Sequence, residues 1–426
     1  MRFLVTEMNS AESRHMPHRD PTRYDLIIAG AGMVGVTFAL ACALVGLKVV
    51  IIDSQVAEAE LPDGYDLRVS AITLASRAIF RNLGMWGNLE RRRVCPFREM
   101  DVWDPRGFGT VHFDAAEIGE AELGYIIENR AIVHAAQTRL TGFPSVRFVC
   151  PAELSAVAFD HTGVAATVST GEVLTASLVV GADGARSRVR ELAGIQSRGG
   201  SYDQIAIVAT VRTSVPHGET ARQAFLASGP LAILPLCDPR LSSIVWSCDS
   251  GYGNDLMGLE EAAFCSELQK RFDGRLGETR LVGARAAFPL TFAHAERYVD
   301  PRLALIGDAA HCVHPLAGQG VNLGLLDAAA LADVVATAFR SGLDIGSYAV
   351  LRRYERWRRG DNLMMLGVTD TFKRAFGVDY GPLRVARNIG LLAADVLGPL
   401  RRLVMRRAVG LEGDLPPLAR GRGAQG

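Results

Sequence analysis

The apolar residues near the start of the chain form a strand–helix–strand pattern. Residues 24–30 make a short run that is apolar on both faces, which is typical of a buried parallel strand. Residues 36–47, rich in Ala and Leu, predict a helix, and residues 48–53 predict a second buried strand that ends on a carboxylate. Together these elements predict a βαβ unit at the start of an α/β fold.

A glycine pattern joins the first predicted strand to the helix. Gly30, Gly32 and Gly35 stand as GxGxxG, and Asp53 closes the next strand. The first glycine permits a tight turn, the second lets a pyrophosphate approach the backbone, and the third lets helix and strand pack closely. Asp53 is suited to accept hydrogen bonds from an adenosine ribose, and its charge disfavours a 2′-phosphate. The pattern therefore predicts a site for FAD or NAD(H) rather than NADP(H); the alternative is a chance glycine-rich turn.

A second glycine–aspartate turn follows another short apolar strand within residues 178–190. Asp183 stands in that turn, and arginines follow it. Two interpretations stay open. Asp183 caps the next helix, or the turn lies under a dinucleotide with arginines near its phosphates.

A third strand, within residues 303–311, ends at Asp308 and leads to two further glycines. Asp308, at the end of a strand, can reach a ribityl hydroxyl, and Gly318 and Gly320 let the backbone approach a flat ring. The helix predicted over residues 325–339 directs its positive end at the same place, which favours a negatively charged ring edge. The nearby His311 and His314 lack a carboxylate at ligand spacing, so structural hydrogen bonding is favoured over metal binding, and no metal site is predicted.

Composition excludes several classes of protein. The chain has 426 residues, 49% hydrophobic and 22% charged, which is typical of globular proteins and not of disordered or fibrous ones. Lys+Arg and Asp+Glu each number 46, so net charge gives no general attraction to nucleic acid. The 7 cysteines are scattered without a Cys-x-x-Cys, which predicts reduced thiols and a cytoplasmic compartment. The N-terminus is a poor signal peptide, and no apolar run reaches about 18 residues without a charge, so we expect no membrane-spanning helix.

The later half of the chain changes character twice. Residues 203–248 alternate apolar and polar positions between Gly and Pro turns, which predicts an antiparallel sheet inserted between the second and third glycine segments. Beyond residue 348 the chain is helical and rich in arginine, with apolar residues at helical spacing over 388–410. Two interpretations of this region remain: a basic amphipathic helix that contacts a membrane or partner, or a helix packed on the fold with solvated arginines.

Taken together, the three glycine motifs resemble those of the class A flavoprotein aromatic hydroxylases, a resemblance that covers about residues 24–354. That family has GxGxxG near the start, a central GADGxxSxVR and a late GDAAHxxxPxxGQGxNxGxxDA, all nearly intact here. Further segments narrow the resemblance to the ubiquinone-biosynthesis hydroxylases. These segments lie at residues 65–72, 100–104, 113–117, 123–130, 288–291 and 297–299.

The resemblance implies FAD as cofactor, with NAD(P)H or another electron donor as reductant. It implies that Arg130 and Asn322 contact FAD, that Arg68 lies near it, and that Asp183 serves both FAD and the nicotinamide. In such enzymes reduced flavin and O₂ form a C4a-hydroperoxide that donates oxygen to an electron-rich ring. The implied substrate is a polyprenyl phenol. No catalytic side chain is assigned, because a phenol supplies its own activation.

The predicted fold is an α/β, Rossmann-like FAD-binding domain with an inserted antiparallel β-sheet substrate domain and C-terminal helices. The predicted FAD-binding domain is discontinuous and covers residues 23–75, 123–195 and 285–345. The predicted substrate domain covers 76–122 and 196–284, and a helical region covers 346–412. Disordered tails are predicted at 1–22 and 413–426. Rival functions are hydroxylation of a small soluble aromatic acid, a non-catalytic flavin-bound scaffold of a quinone-synthesis complex, and reduction of prenyl chains. The expected location is cytoplasmic, with peripheral contact at the inner face of the membrane as the further possibility.

Overall fold

The computed structural model describes residues 23–56, 60–107, 109–313, 319–377 and 398–421. Several predictions lie outside these residues: the tail at 1–22, Gly318, His314 and the apolar spacing over 388–397.

The strands and helices of this part of the chain are numbered in chain order. The strands are β1 (Tyr24–Ala29), β2 (Val49–Ile52), β3 (Val69–Ile72), β4 (Val94–Phe97), β5 (Glu99–Trp103), β6 (Thr110–Asp114), β7 (Gly124–Glu128), β8 (Val146–Val149), β9 (Leu154–Phe159), β10 (Val164–Val168), β11 (Val173–Gly181), β12 (Ser197–Thr213), β13 (Thr220–Leu226), β14 (Gly229–Pro235), β15 (Leu241–Asp249), β16 (Thr279–Ala295), β17 (Val299–Asp300), β18 (Leu303–Leu305) and β19 (His311–Cys312). The helices are α1 (Met33–Leu44), α2 (Leu74–Asn82), α3 (Trp86–Glu90), α4 (Asn129–Leu140), α5 (Arg188–Leu192), α6 (Ser250–Gly258), α7 (Glu261–Arg271), α8 (Gln319–Arg340), α9 (Tyr348–Gly377) and α10 (Gly398–Ala408).

A mainly parallel sheet carries the three glycine turns. Its strand order is β17-β18-β11-β1-β2-β8, and β1 pairs in parallel with both β11 and β2. Leu26, Ile27 and Ile28 are fully buried, because helices cover both faces of such a sheet. The predicted βαβ unit is confirmed, and the turns after β1, β11 and β18 meet at one edge because parallel strands end on the same side.

An antiparallel sheet forms the second layer of the molecule. Its order is β19-β16-β12-β15-β14-β13-β5-β6, with the β13–β5 pair parallel. The predicted antiparallel sheet within residues 203–248 is confirmed, and the structure extends it with the 17-residue β16 and with β5 and β6. One face packs on α6 and α7 around the fully buried Trp246 and Phe264, so the other face is left for the cavity described below.

Two predicted domain bounds differ from the observed packing. Residues 76–97 were predicted within the substrate domain, but Ile79 and Phe80 of α2 share the core of the parallel sheet. Residues 285–295 were predicted within the FAD-binding domain, but they continue β16 along β12. The physical reason is long-range pairing. The strand β16 stays paired with β12 on both sides of the boundary predicted at residue 285, and the local sequence does not show that pairing.

The helix α8 lies in the interior. Its Gly320–Arg340 segment is long and apolar enough to cross a membrane by length and composition, and its most apolar part is 78% buried within the protein. It packs against α1 and α9, which explains its apolar surface without a lipid environment.

The end of the chain folds back onto α2. Residues 413–421 were predicted as part of a disordered tail, and this is wrong for the described residues. Asn82 donates to the carbonyl of Leu418 at 2.8 Å, and Trp357 donates to the carbonyl of Asp414 at 3.0 Å. Ala419 is buried in the main core, so an apolar anchor and backbone hydrogen bonds hold this segment.

The cysteines require a second correction. Cys95 of β4 and Cys237 after β14 form a disulfide, although the sequence predicted reduced, scattered thiols. The two residues are 142 positions apart, and they meet because the small sheet β3-β7-β4 packs beside β14. Spacing along the chain could not show this pairing.

Candidate active site

A cavity of about 620 Å³ lies at the carboxyl edge of the parallel sheet. Residues that follow β1, β11 and β18 line one end, and the antiparallel sheet and α10 line the other. This volume is within the range of sites that bind small molecules, and the carboxyl edge is where open α/β sheets bind their ligands.

The three glycines of the first turn have distinct surroundings. Gly30 has φ +104°, and a Cβ there would lie 2.3 Å from the carbonyl oxygen of Ala182. A Cβ on Gly35 would lie 2.0 Å from the carbonyl oxygen of Gly30. A Cβ on Gly32 would meet no protein atom within 4 Å, and Gly32 lines the cavity at the start of α1. Gly30 and Gly35 thus serve close packing of the protein, whereas Gly32 leaves backbone open to a ligand.

Asp53 braces this turn from the end of β2. Its Oδ2 accepts a hydrogen bond from the Ala31 N–H at 2.6 Å, and its Oδ1 accepts one from the Gln55 N–H at 2.8 Å. A carboxylate has further lone pairs, so these contacts leave capacity for a ribose hydroxyl. Ribose binding by Asp53 stays a prediction.

Asp308 and Arg68 are brought to the same cavity from distant parts of the chain. The Asp308 side chain is exposed to the open cavity, and protein surrounds it on the other sides. Burial raises the pKa of Asp308, and the nearby His311 and Arg68 oppose that shift. The guanidinium carbon of Arg68 lies 4.6 Å from the ring centroid of Phe288, a cation–π contact that holds it at the cavity wall.

The helix α8 presents its N-terminus to the cavity, with Gly320 in the lining. The side chain of Asn322 instead binds protein. It donates to the carbonyl of Ala71 at 2.8 Å and accepts from the Thr73 N–H at 3.0 Å and from the Ser76 hydroxyl at 2.8 Å. Asn322 therefore fastens the start of α8 to β3 and α2, and its predicted contact with a cofactor stays a prediction.

Arg130 and Asp183 do not line the cavity. Arg130 donates to the carboxylate of Glu128 and to the carbonyl of Gly64. Asp183 Oδ2 accepts from the backbone N–H groups of Arg188 at 2.7 Å and Val189 at 3.0 Å. Asp183 thus binds the first two N–H groups of α5, whose N-cap residue is Ser187. The cofactor contacts expected of Arg130 and Asp183 remain predictions.

A buried polar network under the Asp308 turn was missed by sequence reasoning. Asp327 of α8 accepts from His311 Nε2 at 2.5 Å and from Arg358 Nε at 2.9 Å, and Asn362 donates to it at 3.1 Å. Burial alone raises the pKa of Asp327, but His311 and Arg358 lower it below the ordinary value of 3.8. The favoured structural role of His311 is confirmed. Arg358, which one of the two open interpretations counted among solvated arginines, is 2% exposed. The available signal was Asp327 itself, a charged residue among the apolar residues of α8.

The far end of the cavity is apolar and comes from several strands. Small side chains of the antiparallel sheet face it together with Phe288 and with Met405 of α10. The small side chains are Ala206, Val208, Ala221, Ala232 and Val245. None of them was predicted, because each strand contributes one or two apolar residues and no motif.

These residues fit FAD. The backbone is open at Gly32 where a pyrophosphate would lie against the start of α1, and Asp308 is placed for a ribityl hydroxyl. The N-terminus of α8 faces a wide apolar chamber that suits a flat ring system. The fold and site thus define an α/β protein whose cavity suits a dinucleotide cofactor next to an apolar chamber.

Comparison with known proteins gives the family. The FAD binding domain family matches residues 23–360, so the chain belongs to it, and the predicted cofactor FAD is confirmed. The chain is 45% identical over 402 residues to "Ubiquinone hydroxylase UbiL" of Rhodospirillum rubrum, covering 93% of this chain and 92% of that protein. It is 39% identical over 390 residues to "3-demethoxyubiquinol 3-hydroxylase" of Escherichia coli, covering 91% and 98%.

A solved structure shows the same fold. The p-nitrophenol 4-monooxygenase PnpA of Pseudomonas putida superposes with a TM-score of 0.75 at 20% identity, covering 91% of this chain and 98% of that one. The predicted fold class is confirmed.

Proposed function

We propose that this protein is an FAD-dependent monooxygenase that hydroxylates the aromatic ring of a polyprenyl phenol in ubiquinone biosynthesis. In the balanced reaction a ring C–H becomes C–OH. One atom of O₂ enters the ring and the other leaves as water, while NAD(P)H or another donor supplies two electrons. The observation that carries the proposal is one cavity that joins a dinucleotide cradle to an apolar chamber. The names of the two relatives support the same chemistry.

The residues of this chain supply binding, orientation and exclusion of water. Bound FAD, once reduced, supplies the activation of O₂. The antiparallel sheet closes the chamber with small apolar side chains, and a dry chamber strengthens electrostatic interactions and protects reactive groups from water. The N-terminus of α8 favours negative charge on a reduced ring, and the Asn322 contacts hold that N-terminus in place.

An exit for the polyprenyl tail lies beside α10. Val404 both lines the cavity and is 52% exposed, and its neighbour Leu403 is also 52% exposed. The next residue of α10, Met405, also lines the cavity but is 3% exposed and packs in the core. A tail that leaves the chamber past Val404 would continue along apolar surface, which a small aromatic acid would not need.

The same surface supports peripheral contact with the inner face of the cytoplasmic membrane. Arg401 pairs with Glu117 at 2.7 Å and Arg406 with Glu412 at 2.8 Å, so these arginines also hold α10 on the protein. Leu403 and Val404 lie between them in sequence and face outward. Cell fractionation of the wild type and of Leu403→Ser/Val404→Ser tests this part: we expect less membrane-associated protein for the double variant, and equal distribution would contradict it.

The function itself is tested in two ways. In a deletion strain we expect accumulation of a prenylphenol that lacks one ring hydroxyl, and loss of ubiquinone that the wild-type gene restores. With purified protein we expect ¹⁸O₂ label in the ring of a short-chain prenylphenol. Unchanged quinone pools, or turnover only of a soluble aromatic acid, would contradict the proposal, and product formation without O₂ would favour a prenyl-chain reductase.

A further inference from the structure

The polar side chain of Gln223 lies within the largely apolar sheet face that closes the chamber. On β13, Ala221 and Gln223 project to the cavity side, and both line the cavity. Gln223 pairs with Ala232 of β14, and Ala232 pairs in turn with Val245 of β15. Gln223 therefore stands in a row of small apolar side chains, roughly at the middle of the sheet rather than at its solvated rim.

The carboxamide of Gln223 has no protein partner within the described part of the chain, although the residue is only 5% exposed. The neighbouring polar side chains of β13 are satisfied: Thr220 donates to Glu99 at 3.0 Å, and Arg222 donates to the carbonyl of His217 at 2.7 Å. A buried amide without a partner is unfavourable, so a side chain of this kind in a binding cavity indicates a bound group. The amide is placed for a ligand in the chamber.

The chemistry of the amide defines that ligand. A carboxamide donates through its NH₂ and accepts through its oxygen, so it suits a neutral phenol or alkoxy oxygen on a ring. A carboxylate prefers a charge-assisted partner. Arg222, the nearest cation along the strand, also lines the cavity, but it already pairs with Asp101 at 3.6 Å and donates to the carbonyl of His217. The sheet face thus favours a neutral oxygenated ring over an aromatic acid.

We propose that Gln223 is the residue that binds an oxygen substituent of the substrate ring and thereby sets which ring edge faces the cofactor. This inference rests on the proposed function. Gln223 does not line the dinucleotide cradle, so its loss should leave FAD in place. Orientation by one hydrogen bond matters here because a misplaced ring lets reduced cofactor and O₂ react without hydroxylation.

The experiment compares Gln223→Leu and Gln223→Met with the wild type, and uses Gln204→Leu as control. Gln204 lies on β12 of the same sheet but outside the cavity lining, and it donates to Asp249 at 3.4 Å. Two probes are used, a short-chain prenylphenol and its analogue without ring oxygen. Binding is measured by quenching of flavin fluorescence, and coupling is measured as product formed per O₂ consumed.

We expect both Gln223 variants to retain FAD, to bind the phenol at least tenfold more weakly, and to lose coupling. The difference from wild type should vanish with the analogue that lacks oxygen, and Gln204→Leu should behave as wild type. Equal phenol binding and coupling in wild type and both Gln223 variants would overturn the inference, as would an equal defect in Gln204→Leu. A wild type that binds phenol through Gln223 but forms no hydroxylated product would instead overturn the proposed function.

Discussion

The two ends of the cavity recognise their ligands by different means. The cofactor end is built from backbone: open peptide groups at Gly32, helix N-termini, and the Asp308 carboxylate at a strand end. The substrate end is built from side chains that several strands of the antiparallel sheet contribute. Backbone recognition requires glycine at fixed spacing. A Cβ would collide with backbone carbonyls at Gly30 and Gly35, and at Gly32 it would occupy space left for the ligand. An apolar wall requires only the right total volume, so many sequences satisfy it.

The ends also differ in charge. Asp308 and Arg68 give the cofactor end opposite charges at close range, and Asp327 with Arg358 forms a buried ion pair beneath it. The sheet face at the substrate end carries one neutral amide, Gln223. The comparison indicates that polar substitutions should act on cofactor retention at one end and on ring orientation at the other.

Removing Asp327 should give the largest effect. Asp327→Ala leaves the buried Arg358 without its main carboxylate, and loss of one partner of a buried ion pair costs about 3–5 kcal/mol. We expect a large fall in the free energy of unfolding, measured in urea, together with loss of FAD. The control is Asp361→Ala. Asp361 is 44% exposed and pairs with Arg358 from the outside, so its loss should lower the free energy of unfolding by less than about 1 kcal/mol. Equal effects of the two would show that the network does not support the cofactor end.

The glycines should separate folding from cofactor binding. Gly35→Ala places a Cβ against the Gly30 carbonyl, and overpacking of this kind costs about 1–3 kcal/mol. Gly32→Ala meets no protein atom, so we expect an unchanged melting temperature of the apoprotein but weaker FAD binding. Calorimetry of the apoprotein and titration with FAD measure both quantities. A Gly32→Ala protein with normal FAD affinity would contradict backbone recognition at this end.

Filling the chamber should affect the substrate end alone. Ala232→Leu adds three carbons to the wall, so we expect full FAD content and phenol affinity reduced about tenfold, equivalent to about 1.4 kcal/mol. Ala158→Leu on the exposed side of β9 is the matched control and should change neither. Loss of FAD from Ala232→Leu would show that changes at the substrate end also disturb cofactor binding, and would contradict the difference between the two ends.

Titration of Asp308 should give the smallest effect. Its pKa is raised above the ordinary 3.8, so its contribution to apoprotein stability is greatest below that value and declines as the pH rises through the folded-state pKa. We expect apo Asp308→Asn to equal wild type near pH 4 and to be slightly more stable at pH 7, while it retains less FAD. Urea midpoints of the apoproteins across this range measure the difference. A variant less stable than wild type at pH 7 would contradict the assignment.

Local sequence predicted the cofactor end well, because the residues that form it lie in short continuous segments of the chain. The βαβ unit, the Asp308 turn and the helix after it each lie within about thirty residues, and their glycines leave a distinct pattern. Prediction failed where partners are remote. Cys95 meets Cys237, Asp327 meets Arg358, and the tail at 413–421 meets α2, and none of these pairings leaves a local signal.

The amino-acid sequence by itself determined the order of strands and helices at the cofactor end, because steric limits on the backbone demand glycine at given positions. The resemblance of its motifs to those of the flavoprotein hydroxylases implied FAD. Only the tertiary structure decided which residues form the chamber, since a sheet face is assembled from side chains that alternate on several strands. It likewise decided that Arg358 is buried and that Gln223 faces the chamber without a partner among the residues that the structure describes. Burial depends on what packs opposite a residue, and that neighbour comes from elsewhere in the chain.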